Sequence, residues 1–244
     1  MNKLTRICLW SGPRNISTSL MYSFAQRPNC QVFDEPLYAH YLRSVSEETR
    51  LRHPGCSEIL RTMENNGAKV VDFMLGDFPG STNELFFKNM AHHILDLDIE
   101  FMKDVVNVIL TRDPRDMLPS FDKVIENPSI SEVGYKAHVE LIEKLESMGA
   151  KFVVVESRDI LLNPEKQLSR ICDAAGIKFM DEMLSWEPGA RPEDGVWAKN
   201  WYTGTHSSSG FAKYKPKSAP FPEHLKQLLE ESTQYFKKLL SYTA

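Results

Sequence analysis

Phe152-Val-Val-Val-Glu156 is a short apolar run, set off by Gly149 before it and Asn163-Pro164 after it. A run of that length between turn signals reads as a strand buried on both faces. Val105 to Thr111 and Thr5 to Trp10 repeat the pattern, and Gln31 to Phe33, Lys69 to Met74 and Leu85 to Phe87 are shorter candidates. Helical patterns separate them. One runs from Ser17 to Gln26, and the segment 37–66 is helical with a break at His53-Pro54-Gly55. Others run from Pro114 to near Asn127-Pro128 and from Ser131 to Met148, where Gly149 closes the helix. A further helix starts at Asn163-Pro164, where a first-turn proline has no hydrogen bond to lose, and an amphipathic one spans Glu223 to Leu240. Strands alternating with helices predict an α/β fold of three αβα layers around a central parallel sheet, built as one domain over residues 1–244. Residues 76–83 read as a turn-rich stretch. Residues 187–222, rich in Gly, Pro, Ser and aromatics, read as a long ordered loop; loops of that length in compact domains are usually functional or disordered.

Charge narrows the choice of partners. With 29 basic against 33 acidic residues the net charge is -4, so bulk attraction to nucleic acid or an anionic membrane is not expected. An anionic ligand has to be held by a local cluster. The N-terminal MNKLTRICLWSG lacks a signal-like apolar core and no later run is long enough to span a bilayer, so a cytoplasmic protein is expected. Cys8, Cys30, Cys56 and Cys172 show no paired metal-binding spacing; they read as reduced, buried thiols, and no metal is expected.

The chemistry concentrates in Ser11-Gly-Pro-Arg-Asn-Ile-Ser-Thr-Ser-Leu20, directly after the first strand and opening the first helix. The first N–H groups of a helix have no partner within it, and its dipole makes that end partly positive, so a strand–turn–helix with a basic residue forms an anion cradle. The alternative is an ordinary helix cap. The Gly-x-x-x-x-Gly-Lys-Ser/Thr pattern of ATP-binding loops is absent, and Arg14 supplies the charge. A second cluster, Leu110-Thr-Arg112-Asp-Pro-Arg-Asp-Met-Leu-Pro-Ser120-Phe121, leaves the C-terminal end of a strand, where open α/β sheets bind ligands. A guanidinium there matches phosphate oxygens in fork geometry.

Together these segments resemble the sulfotransferase family that uses 3′-phosphoadenylyl sulfate (PAPS) and releases the bisphosphate PAP. The first loop aligns without a gap to the family's Pro-Lys/Arg-Ser-Gly-Thr/Ser-Thr pattern, with Ile16 where the family has glycine. The resemblance implies a P-loop NTPase-like sulfotransferase fold and a 5′-phosphosulfate held on Pro13, Arg14, Asn15, Ile16, Ser17 and Thr18. The second segment is similar to the family's Arg-Asn/Asp-Pro-x-Asp-x-x-x-Ser-Tyr, which implies that Arg112 and Ser120 hold the 3′-phosphate; Phe121 replaces the tyrosine. Arg115 is read as solvated or salt-bridged. Phe152 to Pro164 resembles a strand–turn–helix of the family that is structural. The resemblance spans nearly the whole chain. It also extends to the sulfotransferase-like segment fused to plant aminotransferase-like proteins.

Sulfuryl transfer to a hydroxyl or amine needs a base. Glu35 in Asp34-Glu35-Pro36 is one candidate. His92 and His93, four and five residues after Lys88, are the other, although the family's lysine and histidine stand two apart. Lys88 reads as a cation for the sulfonate or as an edge charge. Lys213 or Lys215 would replace a basic C-terminal loop motif that is absent here, while Trp197, Trp201 and Phe211 read as anchors of that loop. The resulting expectation is a PAPS-dependent sulfotransferase, monomer or homodimer, acting on a small-molecule acceptor. A non-catalytic PAP-binding module of the same fold and a P-loop kinase-like enzyme remain as alternatives.

Overall fold

The computed structural model describes residues 4–78 and 80–243. Met1 to Lys3, Pro79 and Ala244 lie outside the described residues, and with them the start of the N-terminal segment and one position of the turn-rich stretch 76–83. Five strands form the sheet: β1 (Thr5–Ser11), β2 (Cys30–Asp34), β3 (Glu84–Met90), β4 (Val106–Thr111) and β5 (Phe152–Glu156). All four pairings are parallel, in the order β2-β3-β1-β4-β5. Alternate side chains feed two cores, as the period of two requires. Ile7, Leu9, Val108, Leu110 and Val155 face one; Cys8, Trp10, Ile109 and Val154 face the other.

Helix α1 (Ser17–Phe24) and, later in the chain, α10 (Pro164–Ala175) cover the first face. The second face carries α5 (Gly67–Leu75), α6 (Pro114–Phe121), α8 (Tyr135–Met148) and α13 (Lys226–Leu240). The chain therefore leaves the adjacent strands β1 and β4 toward opposite faces. That is the switch point at which open α/β sheets leave a crevice beyond the strand ends. Above β2 sit α2 (Tyr38–Ser44), α3 (Glu47–Leu51) and α4 (Cys56–Thr62). Completing the set are α7 (Ile130–Val133), α9 (Ser157–Leu162), α11 (Ala198–Trp201) and α12 (Thr203–His206).

Three expectations need correction. Lys69 to Met74 is helix, not strand: Asn66 accepts from the Lys69 N–H as an N-cap, and Val70 and Met74 bury the same helical face. The helix from Pro114 stops at Phe121, and Asp122 folds back to accept from the Asn127 N–H, 2.9 Å away. The helix expected over 131–148 is two helices. α7 opens on a Ser129/Glu132 capping box and ends at Gly134, whose φ of 81° is left-handed. A Cβ on Gly134 would lie 3.3 Å from Gly12 Cα and 3.6 Å from His92 Nδ1, so this glycine lets α8 start against the anion loop.

Candidate active site

The switch-point crevice holds a cavity of about 300 Å³, lined by Pro13 to Ser19, Glu35, Lys88, His92, His93, Arg112 and Ser120 among others. Twelve of the fourteen residues singled out from the sequence meet there. Lys213 and Lys215 do not: both are exposed and neither lines it.

The loop from Gly12 to Ile16 connects β1 to α1. Arg14 sits in the left-handed region at φ 52°, which is uncommon for a residue with a Cβ and marks a constrained site. Arg112 holds it there, donating from Nη1 to the Arg14 carbonyl at 2.6 Å. The Arg14 guanidinium donates to Ser120 Oγ at 3.1 Å and to the Trp201 carbonyl at 3.0 Å. Asn15 Nδ2 ties the loop to the Leu110 carbonyl at 2.8 Å. Ile16 has ordinary dihedrals, φ -82° and ψ 27°, so the position where glycine was expected needs no glycine; its side chain packs on the α1 core. The N-terminus of α1 has no side-chain cap, which leaves the hydroxyl-bearing first turn of Ser17, Thr18 and Ser19 facing the cavity. Two guanidiniums, three hydroxyls and an uncapped helix end suit a ligand carrying more than one anionic group. Burial, and then the nearby Arg112, push the Arg14 pKa down, the response of a cation short of a counter-ion.

The opposite wall is built from the ends of β2 and β3. Lys88 is 1% exposed, and its Nζ donates to Asp34 Oδ1 at 2.7 Å, to Glu35 Oε1 at 2.5 Å and to the Tyr202 hydroxyl at 2.7 Å. Tyr202 also bonds to Asp34, and Trp197 Nε1 donates to the Tyr202 hydroxyl at 3.0 Å. Burial disfavours the Lys88 ammonium, but the two carboxylates overcome it and raise its pKa. Glu35 shares the left-handed backbone of Arg14, at φ 44°, with its N–H on the Lys88 carbonyl. Burial raises the Glu35 pKa, Lys88 pulls it back, and Asp34 raises it again. A carboxylate held above its ordinary range beside a cavity has the protonation chemistry of a general base.

His93 lies between Tyr38 and Tyr41, with ring centroids 4.9 and 4.5 Å away. Burial, with His92 and His53 adding to it, drives its pKa well below 6.5; His92 falls to about 3 for the same first cause.

Sequence reasoning passed over Asp34, Tyr38, His53, Leu161 and Tyr202. Asp34 was legible as the neighbour of Glu35 at a strand end. Tyr202 and His53 carried no signal, because the place of Tyr202 depends on how 187–210 folds back over the cavity and that of His53 on its contact with Tyr38 in α2. Asp194 fixes that strap by accepting from Tyr22, from the Arg191 N–H and from His206. Within it Trp197 and Trp201 line the cavity as well as anchoring the loop, while Phe211 packs on Trp186. Leu161, from the segment read as structural, adds to the wall. Beyond the strap, Lys217 Nζ reaches the Asp116 carbonyl at 2.5 Å, and its pKa is lowered by burial and then by Arg112. Like Lys213 and Lys215, Lys217 is exposed and does not line the cavity. Arg115 stacks on Phe221 at 5.7 Å, away from the cavity.

A family model described as a sulfotransferase domain matches residues 5–242. The chain belongs to the sulfotransferase domain family. Two curated Arabidopsis thaliana relatives, branched-chain-amino-acid aminotransferase-like proteins 1 and 2, are each 40% identical, over 96% and 91% of this chain. Those matches cover 41% and 39% of the relatives, so this sulfotransferase domain spans about two fifths of the length of the curated relatives it matches. Among solved structures, the sulfotransferase domain from the curacin biosynthetic pathway aligns over 99% of both chains with a TM-score of 0.55 at 14% identity. Mouse sulfotransferase SULT7A1 complexed with PAP aligns over 98% of this chain and 90% of its own, with a TM-score of 0.53 at 11% identity. At such identities the likeness speaks for the fold. No helix among the described residues is long and apolar enough to cross a membrane.

Proposed function

We propose that this sulfotransferase domain moves a sulfuryl group from PAPS to a small-molecule acceptor. The observation that carries the reading is the convergence of Arg14, Arg112 and Ser120 at the ends of β1 and β4, facing Glu35 and Lys88 across one cavity. Arg14 and the first turn of α1 hold the 5′ end of the donor, and Arg112 and Ser120 hold its 3′-phosphate. The donor supplies the sulfuryl group. The chain positions it in line with the acceptor, and the Glu35 carboxylate takes the proton that the acceptor oxygen or nitrogen loses. Such transfer leaves a protein mainly positioning and charge stabilisation to do, which suits a site of fixed guanidiniums and backbone N–H groups.

Isothermal titration with PAP tests the nucleotide site. Binding is expected, and Arg112→Ala should weaken it by at least about tenfold, the worth of one charge-assisted hydrogen bond. No binding, or undiminished binding by the variant, would refute the reading. Incubation with labelled PAPS and a pool of alcohols, phenols and amines tests the transfer. PAP binding with no transfer to any of them would favour a binding module over an enzyme.

A further inference from the structure

The sheet order divides the cavity by charge. Its β1/β4 side carries Arg14 and Arg112. At its β2/β3 side the one lysine, Lys88, is spent on Asp34 and Glu35, so that buried triad is net negative when both carboxylates are ionised. Beside it stand three imidazoles, His53, His92 and His93, all lining the cavity. Burial holds them neutral: the His53 pKa falls to about 4 and His92 to about 3, with His93 well below its ordinary value. Among the described residues no group of His, Cys, Asp and Glu is placed to hold a metal ion.

These imidazoles are not satisfied by the protein. His53 Nδ1 meets the Tyr38 hydroxyl at 2.8 Å, yet Nε2 is buried with no partner. His93 Nδ1 is also buried with no partner; its ring stacks on Tyr38 and Tyr41 and meets His92 edge-on. The two side chains are 7% and 1% exposed. Buried polar nitrogens are nearly always hydrogen-bonded, so two left bare on side chains that line the cavity point to something that enters it. A neutral imidazole offers one donor and one acceptor, which matches hydroxyl groups. Trp197, edge-on to Tyr38 at 5.1 Å, and Met90 make the remaining wall apolar.

We infer that the β2/β3 end is an acceptor subsite for a compact, uncharged molecule with an apolar face and at least two hydroxyls, one held by His53 and His93 while the other lies at Glu35. The inference rests on the sulfotransferase reading for its word acceptor. A carboxylate or phosphate on the acceptor finds no free cation here and faces the acidic triad. His53 and His93 are positioning residues in this scheme; the proton goes to Glu35.

Three ring-matched probes test it by calorimetry on the whole protein, with and without saturating PAP: 3-hydroxybenzyl alcohol, benzyl alcohol and 3-(hydroxymethyl)benzoate. The diol should bind at least tenfold more tightly than either of the others. His93→Phe keeps the stacked ring and removes the bare nitrogen. It should erase the preference of diol over mono-alcohol, with PAP affinity unchanged and the melting temperature undiminished; where transfer is measurable it should raise KM and spare kcat. His53→Phe should act in the same direction. Equal or tighter binding of the benzoate, no binding of the diol at millimolar concentration, an unchanged preference in both variants, or a His93→Phe defect confined to kcat would each overturn the inference. PAP binding without discrimination among the probes defeats this inference alone, whereas absent PAP binding defeats the nucleotide reading while the probes still report on the chamber.

Discussion

Replacing His138 should make the stability of this protein less sensitive to acid. His138 lies in the first turn of α8, 1% exposed, with Nε2 3.2 Å from the Trp10 carbonyl at the end of β1. A carbonyl only accepts, so Nε2 carries the proton and Nδ1 is the bare nitrogen, buried without a partner. Protonation would therefore place charge on a nitrogen with nothing to receive it. Burial lowers the His138 pKa to about 4, and the bond to Trp10 offsets only part of that.

The sign follows from which state holds the proton. Between pH 6.5 and about 4 the unfolded histidine is protonated and the folded one is not, so acid favours unfolding. From pH 7 to pH 5 this one group costs about 2 kcal/mol of stability. His138→Leu loses the bond to Trp10, a cost of about 1 kcal/mol at pH 7, and removes the titration. The variant should thus be the less stable protein at pH 7 and the more stable at pH 5, with the curves crossing between about pH 5.5 and 6. Urea midpoints of both proteins at half-unit steps measure it, because the other titrating groups cancel in the difference. A stability difference that does not change with pH would refute the argument.

Glu35→Gln should abolish transfer and leave PAP affinity within about twofold, as for a residue that handles a proton and no phosphate. In the intact protein kcat/KM should fall as pH drops through the raised Glu35 pKa, so the acidic limb should lie above the ordinary carboxylate range; a limb at or below it would count against Glu35 as base. Tyr202→Phe leaves Lys88, Asp34 and Trp197 each short of one buried hydrogen bond and should cost about 1–3 kcal/mol in urea, a loss under about 0.5 kcal/mol showing that the hydroxyl does not brace the triad. Gly134→Ala forces a Cβ into a left-handed position against Gly12 and should cost about 1–2 kcal/mol while weakening PAP binding; full PAP affinity would mean that the α8 start does not support the cradle.

What the sequence disclosed follows from the range over which its signals act. Strand-length apolar runs specified the sheet, since the alternation that feeds two cores is local to each strand. The cradle and the Arg112/Ser120 segment were legible for the same reason: each is a strand end running into a helix start. The strand reading of Lys69 to Met74 failed because a short apolar run does not distinguish a half-buried helix from a strand, although Asn66 three residues before Lys69 was a cap signal. The break at Gly134 was hidden because a glycine within a helical pattern is ordinary; what demands it is Gly12, more than a hundred residues earlier. Tyr202 and His53 had no signature at all. Their roles come from contacts with Asp34 and Tyr38 that exist only once the strap and the helices above β2 are in place.

Lys88 changes meaning once its surroundings are known, and the change bears on how the site divides its work. Read from the sequence it was a cation for the sulfonate or an edge charge; in the fold its three protons go to Asp34, Glu35 and Tyr202. No donor remains for an anion. Burial and the neighbouring Asp34 raise the Glu35 pKa, and Lys88 is the group that pulls it back. The lysine thus offsets part of the effect of burial on Glu35, whose pKa nevertheless stays raised. In the proposed transfer, charge on the transferring group would be left to Arg14 and the first turn of α1, and the proton to the β2/β3 wall. The two strained backbones mark that division. Arg14 at φ 52° is fixed by Arg112 from the end of β4, and Glu35 at φ 44° is fixed by the Lys88 carbonyl on β3. Glu35 directly follows β2 and Arg14 lies three residues beyond β1, so in the proposed transfer the spacing between charge stabilisation and base would be set by the sheet, with β3 between β2 and β1.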